Sequence, residues 1–288
     1  MFSETSQVAV AVTLLVLTLG ALLRRVVPVS RPVAIYLPYL WTFFLFFTLS
    51  EFVSFQLGIW VLAGLCFLAL REYFTLVELR IQDRLAVLAA YAAIPFMFYY
   101  IQTDWYGMFA ISIPICAFLV VPFLVSVGGP QTEGSVVSIG IIDLGLFLLV
   151  FCVGHIGYLA FYSTWMAIFL VAAVVLCDLA THLLDARSRP PLQSVFLQLL
   201  APAPATVVLG LVLMPWTGIP LVHTVVLALL IPALVAVGCH TMNHLEADLR
   251  IDRSRLRPGR GEVFNTLKSY VYTAPVAFHY LRHFLDAF

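Results

Sequence analysis

The chain has 288 residues, is 62% hydrophobic and only 10% charged, and carries a formal net charge of zero. Soluble domains use about 25% charged and 45–50% apolar residues, so too few polar side chains exist here to cover a surface facing water. A soluble fold and a nucleic-acid partner are excluded, and an all-α, polytopic integral membrane protein is predicted, its apolar side chains covered by lipid.

Apolar runs fall near residues 8–23, 34–50, 55–70, 85–102, 106–127, 137–160, 164–183, 198–214, 221–245 and 269–285. A helix needs about 20 residues to cross roughly 30 Å of hydrocarbon. Ten transmembrane helices are therefore expected, or nine if one of the short runs (the first, third or eighth) does not span. Arg24 and Arg25 follow the first run and no small-residue cleavage pattern stands out, so this run is read as a retained helix rather than a signal peptide.

Loops are numbered by the run they follow. Loop 1 holds Arg24, Arg25 and Arg31; loop 3 holds Arg71, Arg80 and Arg84; loop 7 holds Arg187 and Arg189. Loop 9 holds Arg250, Arg253, Arg255, Arg257, Arg260 and Lys268, which brings fourteen of the fifteen basic residues into odd loops. Positively charged loops stay cytoplasmic, so odd loops are expected inside and both termini outside. Loop 5, Gly128 to Gly134, has no basic residue and casts no vote. No linker or soluble domain interrupts the chain, which reads as one membrane domain, 1–288, with N-terminal helices over 1–130.

Cys66, Cys116, Cys152, Cys177 and Cys239 lie in or at the ends of apolar runs and read as packing residues rather than disulfides. Pro38, Pro95, Pro114, Pro122, Pro202, Pro204 and Pro232 lie inside or at the edges of spans, where kinks are expected.

Ionisable residues at membrane depth are costly and point to function. Asp143 and His155 lie in the sixth run and Asp178 in the seventh. Asp178 and His182 form an i, i+4 pair on one helical face, and His240 and His244 form a second beside Cys239. If the seventh and ninth helices meet at their cytoplasmic ends, Asp178, His182, Cys239, His240 and His244 form a candidate set for a soft-ligand divalent metal. The simpler expectation for the histidines is a place at helix ends or at the headgroup boundary. Arg250, Arg253, Arg255, Arg257, Arg260 and Lys268 are the candidate lipid- or phosphate-binding residues: guanidinium groups match phosphate geometry, and each cation beside an anionic membrane surface adds about 1 kcal/mol of attraction.

The order of features from Gly238 onward resembles the bacterial phosphatidate cytidylyltransferases (CDP-diacylglycerol synthases), which join phosphatidic acid to CTP. Gly238 is followed by a helical segment, Ile251, Pro258-Gly259-Arg260-Gly261-Glu262, Ser269 and Tyr272-Thr273-Ala274-Pro275-Val276, near the spacing of that family's C-terminal signature. The stretch Phe67 to Leu76, with Glu72, is similar to its early glutamate-containing helix end, and Asp178 stands where it has an acidic residue. The resemblance implies a bacterial inner-membrane protein whose region 164–288 corresponds to the family's catalytic part, with Mg as cofactor and phospholipids as ligands.

The chemistry-bearing positions depart from that pattern. Cys239 stands for an Asp, Asn243 for a Ser, Glu246-Ala247 for a Lys-Arg pair, Arg260 for a His and Lys268 for an Asp; in Ala201-Pro202-Ala203-Pro204-Ala205 only the Pro of an earlier motif remains. Triphosphate chemistry needs hard carboxylate oxygens for the metal and cations for the phosphates. The expectation is a pseudoenzyme that binds lipid or serves as a complex-forming membrane subunit, with a protein partner or a second copy of itself. The alternative is a divergent metal-dependent phospholipid enzyme, with Asp178 as its candidate catalytic residue.

Overall fold

The structure, a computed structural model, describes residues 31–185, 199–251 and 261–285 together with Leu14 and Thr18; for residues 31–39 and 182–185 it describes the backbone alone. All regular structure among these residues is helical. In chain order the helices are α1 (Arg31–Phe52), α2 (Phe55–Leu76), α3 (Ile81–Gln102), α4 (Tyr106–Val127), α5 (Ser135–Tyr162), α6 (Thr164–Asp185), α7 (Ala203–Thr217), α8 (Leu221–Asp248), the short α9 (Glu262–Leu267) and α10 (Tyr270–Phe284).

Among the described residues, α2 to α6 and α8 are long and apolar enough to cross a membrane, six helices in all. This is an all-α polytopic architecture. The expected eighth run is a helix of only 15 residues, α7, which reaches about 22 Å at 1.5 Å per residue, short of a full hydrocarbon core. The tenth, α10, also has 15 residues, and most of the first run lies outside the described residues. The ten-span count is therefore not carried by these helices alone. The described cysteines are free thiols: Cys66, Cys152 and Cys177 are buried, Cys239 is half-buried, and Cys116 is exposed on α4 rather than packed.

Local sequence sets the helix ends. Ser54 opens α2 with its hydroxyl accepting the Leu57 N–H at 3.2 Å, satisfying one of the orphan donors of the first turn. The apolar run ends at Leu70, yet α2 continues through Arg71 and Glu72 to Leu76, because a helix need not stop where the hydrocarbon does. α8 does the same on a larger scale. Its 28 residues extend about 42 Å, so its polar end, from His240 to Asp248, projects about 12 Å beyond a 30 Å core.

α5 is the hub, packing against α2, α3, α4, α6 and α10. Residues 152–160 of α5 are buried without interruption. In lipid, helices gain little from apolar burial and associate through close packing, small residues and interhelical hydrogen bonds. A Cβ built on Gly157 would lie 2.6 Å from Ile59 Cδ1 and 3.2 Å from Ile101 Cδ1, so the bare glycine lets α2 and α3 close on the hub. Gly58 does the same between α2 and α1, where a Cβ would meet the Phe46 carbonyl oxygen and the Ser50 nitrogen, each at 2.9 Å. α7 is tied to α8 by Thr206 Oγ1, which donates to the Ala228 carbonyl at 2.7 Å. Wide, π-helical turns occur at Ser112–Ala117 in α4, around Pro114, and at Phe147–Cys152 in α5, and the two touch.

Two polar faces result. On one, the loop before α3 is latched to the loop before α5. Arg80 makes a bidentate pair with Asp83, at 2.9 Å (Nε) and 2.7 Å (Nη2), and its Nη1 donates to the Gln131 and Glu133 carbonyls at 3.0 and 2.8 Å. The hydrogen bond to Asp83 raises Arg80 above the usual guanidinium value, so this latch stays charged at any working pH. Loop 9 joins the same face through α2, where Glu72 accepts the Phe264 N–H at 3.1 Å. Loops 3, 5 and 9 thus share a side, and silent loop 5 falls with its odd-numbered neighbours. The opposite face gathers Tyr100, Trp105, Tyr106, Tyr162, Trp165, Trp216, Tyr280 and Phe284, an aromatic belt of the kind found at a membrane–water boundary.

Candidate functional site

The residues singled out by sequence meet where the ends of α6 and α8 converge on the α9–α10 junction. Asp178, 4% exposed on α6, accepts a hydrogen bond from Ser269 Oγ at 2.7 Å. Ser269 Oγ in turn lies 3.4 Å from Cys239 Sγ on α8. The neighbouring Lys268 turns the other way along α8: its Nζ donates to Asn243 Oδ1 at 2.8 Å and lies 4.0 Å from Glu246 Oε1. Two consecutive residues at one junction therefore bind two helices. Burying a carboxylate in such a place is costly unless it is paired and hydrogen-bonded, and both Asp178 and Glu246 are engaged. Tyr270, fully buried beside Asp178 and Cys177 and stacked at a tilt on Phe43 of α1, seals the apolar side.

The five-residue metal set does not assemble as expected. Asp178 and Cys239 meet through Ser269, but His240 and His244 lie on the exposed face of α8. Each residue turns a helix by about 100°, which carries His240 off the face that Cys239 presents. The two imidazoles do face each other, ring centroids 5.0 Å apart. The side chain of His182 lies outside the described residues. Among the described residues no group of three or more His, Cys, Asp and Glu side chains comes together.

The donor set also fits Mg poorly. Magnesium seeks hard oxygen ligands in near-octahedral array; here one carboxylate holds a hydroxyl, the other faces an ammonium, and the nearest further donor is a thiol.

Of the candidate phosphate ligands, Arg250 and Lys268 are described, whereas Arg253, Arg255, Arg257 and Arg260 lie outside the described residues, as do Arg187 and Arg189 of loop 7. Arg250 is exposed at the end of α8 with φ 56°, the left-handed region where glycine is ordinarily found. The Ile251 N–H bonds to the Glu246 carbonyl at 2.9 Å and the Arg250 N–H to the Ala247 carbonyl at 3.1 Å, a Schellman ending with arginine in glycine's place. An L-residue there costs roughly 1–2 kcal/mol.

Sequence reasoning did not assign Glu72 a role at this site. Its carboxylate gathers backbone N–H groups at the start of α9, among them that of Phe264, so it caps α9 from a distant helix and anchors the end of loop 9. The available signal was a lone acid ending an apolar run, one residue after Arg71. Of the other membrane-depth groups, His155 is buried among Phe109, Phe151 and Phe278, and its Nδ1 donates to the Phe151 carbonyl at 2.9 Å. Asp143 is half-buried on α5.

No family model matches the chain, and no solved structure matches it. The chain is similar to the uncharacterised protein YnbB of Escherichia coli (strain K12), with 26% identity over 241 residues covering 77% of this chain and 78% of YnbB.

Proposed function

We propose that the chain is a multi-pass protein of the bacterial inner membrane, with about ten spans and odd-numbered loops in the cytoplasm, that resembles the phosphatidate cytidylyltransferases in layout but works as a lipid-binding or complex-forming subunit and does not turn over CTP. One observation carries the reading. Lys268, standing where the resemblance places a metal-binding carboxylate, is fixed on Asn243 and near Glu246, while the adjacent Ser269 occupies Asp178. Polar groups that would have to receive Mg and triphosphate are committed to joining helices. Arg250, held in an unfavourable backbone conformation at the start of the basic loop, supports headgroup binding, since strain of this kind collects at binding sites.

The test is direct. The purified chain in nanodiscs, given CTP, phosphatidate and Mg, is expected to form no CDP-diacylglycerol above background, and to retain anionic phospholipid that a variant with the loop 9 arginines changed to Ala loses. Metal-dependent turnover of CTP overturns the proposal.

The alternative, a metal-dependent phospholipid enzyme, draws on the facing pair His240 and His244. It requires stoichiometric zinc or a similar metal in the purified protein that disappears in H240A/H244A.

A further inference from the structure

A second polar site lies away from the α6–α8–α10 junction, where α3 begins beside the end of α2. A groove of about 390 Å³ opens there, lined by Leu79, Arg80, Arg84, Val87, Leu88 and Tyr91. Arg84, Leu88 and Tyr91 stand at i, i+4 and i+7 on α3 and form one stripe. The ring of Tyr91 is held by two α2 rings, Phe67 at 5.2 Å and Phe74 at 5.7 Å between centroids. Arg71 lies between those two in sequence, on the same face of α2.

The charge is arranged in two parts. Asp83 offsets Arg80 through the bidentate pair, so Arg80 forms a fixed wall rather than a free cation. Arg84 and Arg71, both exposed, are the outward cations; Glu72 is turned to the Phe264 N–H, and the one further acid, Glu78, is exposed beside Leu79. One turn further into the helix from Arg84 the surface turns apolar and open: Leu88 is 65% exposed and Leu85 53%. Cations above and bare aliphatic side chains below, on a helix that is apolar enough to cross a membrane, mark the headgroup boundary. A soluble anion would use the arginines and leave the aliphatic wall idle. An acyl chain alone would leave the arginines idle.

We infer that this groove binds the headgroup of an anionic phospholipid, with phosphate on Arg84 and Arg71 and the upper acyl chain along Leu88 and Tyr91. The site is separate from the proposed loop 9 site and is tested separately.

The full chain in mild detergent is mixed with dioleoyl phosphatidylglycerol or dioleoyl phosphatidylcholine, and bound lipid is counted by native mass spectrometry. Phosphatidylglycerol is expected to bind in preference. Arg71→Ala and Arg84→Ala should each weaken its retention about fivefold, the effect of one cation near an anionic lipid. Comparing wild type with variant cancels lipid held at other arginines. Both residues are exposed, so the thermal midpoint should not move, which separates lost binding from lost folding. Glycerol 3-phosphate at millimolar concentration should not displace the lipid. Equal retention by wild type and the R71A/R84A double variant overturns the inference, and so does full displacement by glycerol 3-phosphate, which would make this a soluble-anion site.

Discussion

Ser269 joins two helices through one hydroxyl: it donates to Asp178 on α6 and approaches Cys239 on α8. Ser269→Ala leaves a buried carboxylate short of a donor, and the penalty for an abandoned buried acceptor is about 1–3 kcal/mol. Thermal unfolding in detergent should show that loss, and D178N should recover part of it because a neutral amide tolerates the site better. Arg250 makes the opposite forecast. Arg250→Gly relieves a left-handed arginine and should stabilise the chain by roughly 1 kcal/mol while weakening retention of anionic lipid. A variant that gained stability without losing lipid would remove the case for Arg250 as a ligand. At this scale, Asp178 could be picked out from sequence because charge is rare in so apolar a run. Ser269 does not stand out in sequence, because one more hydroxyl in a polar segment carries no signal until its partner is known.

Among elements, the spacing of apolar runs was sufficient to foresee α2 to α6 and α8, whose apolar stretches match the bilayer. It marked the eighth run as short, and α7 is, but it ended the ninth run at residue 245 where α8 continues to Asp248, since hydropathy records where lipid ends and not where a helix ends. The close crossings were not legible either: glycine in a membrane helix is common, and only the partner shows which ones are contact points. Gly157→Leu should destabilise the hub by about 1–3 kcal/mol through overpacking against Ile59 and Ile101, whereas the same change at Gly140, where a Cβ meets nothing within 4 Å, should be nearly silent. The tertiary cap supplied by Glu72 makes its own forecast. Glu72→Ala should speed hydrogen exchange at the Phe264 amide and expose loop 9 to protease, with little effect on α5.

For the whole molecule, direct contacts put loops 3, 5 and 9 on one side, loop 5 among them although it carries no basic residue. Single cysteines at Gln82 and Gln131 should therefore react with a membrane-impermeant maleimide from one side, and cysteines at Asp104 and Gly218 from the other. Labelling of Gln82 and Gln131 from opposite sides would refute the arrangement. The bundle is also uneven. Of the spanning stretches of α3 and α4, 33% and 22% are buried, against 50% in α5, so the two form an outer pair, pinned at one end by Arg80 on the loop before α5 and at the other by the Tyr158 hydroxyl on the Tyr100 carbonyl. Mechanically, that pair is an outer stave on a barrel that is otherwise tightly hooped, pinned at its two ends rather than along its length. Pulled from the side of the aromatic belt, it should peel away before the rest of the chain yields. With Arg80 replaced by Ala it should come free at a distinctly lower force, a sequence of ruptures that single-molecule pulling in bilayers can read directly.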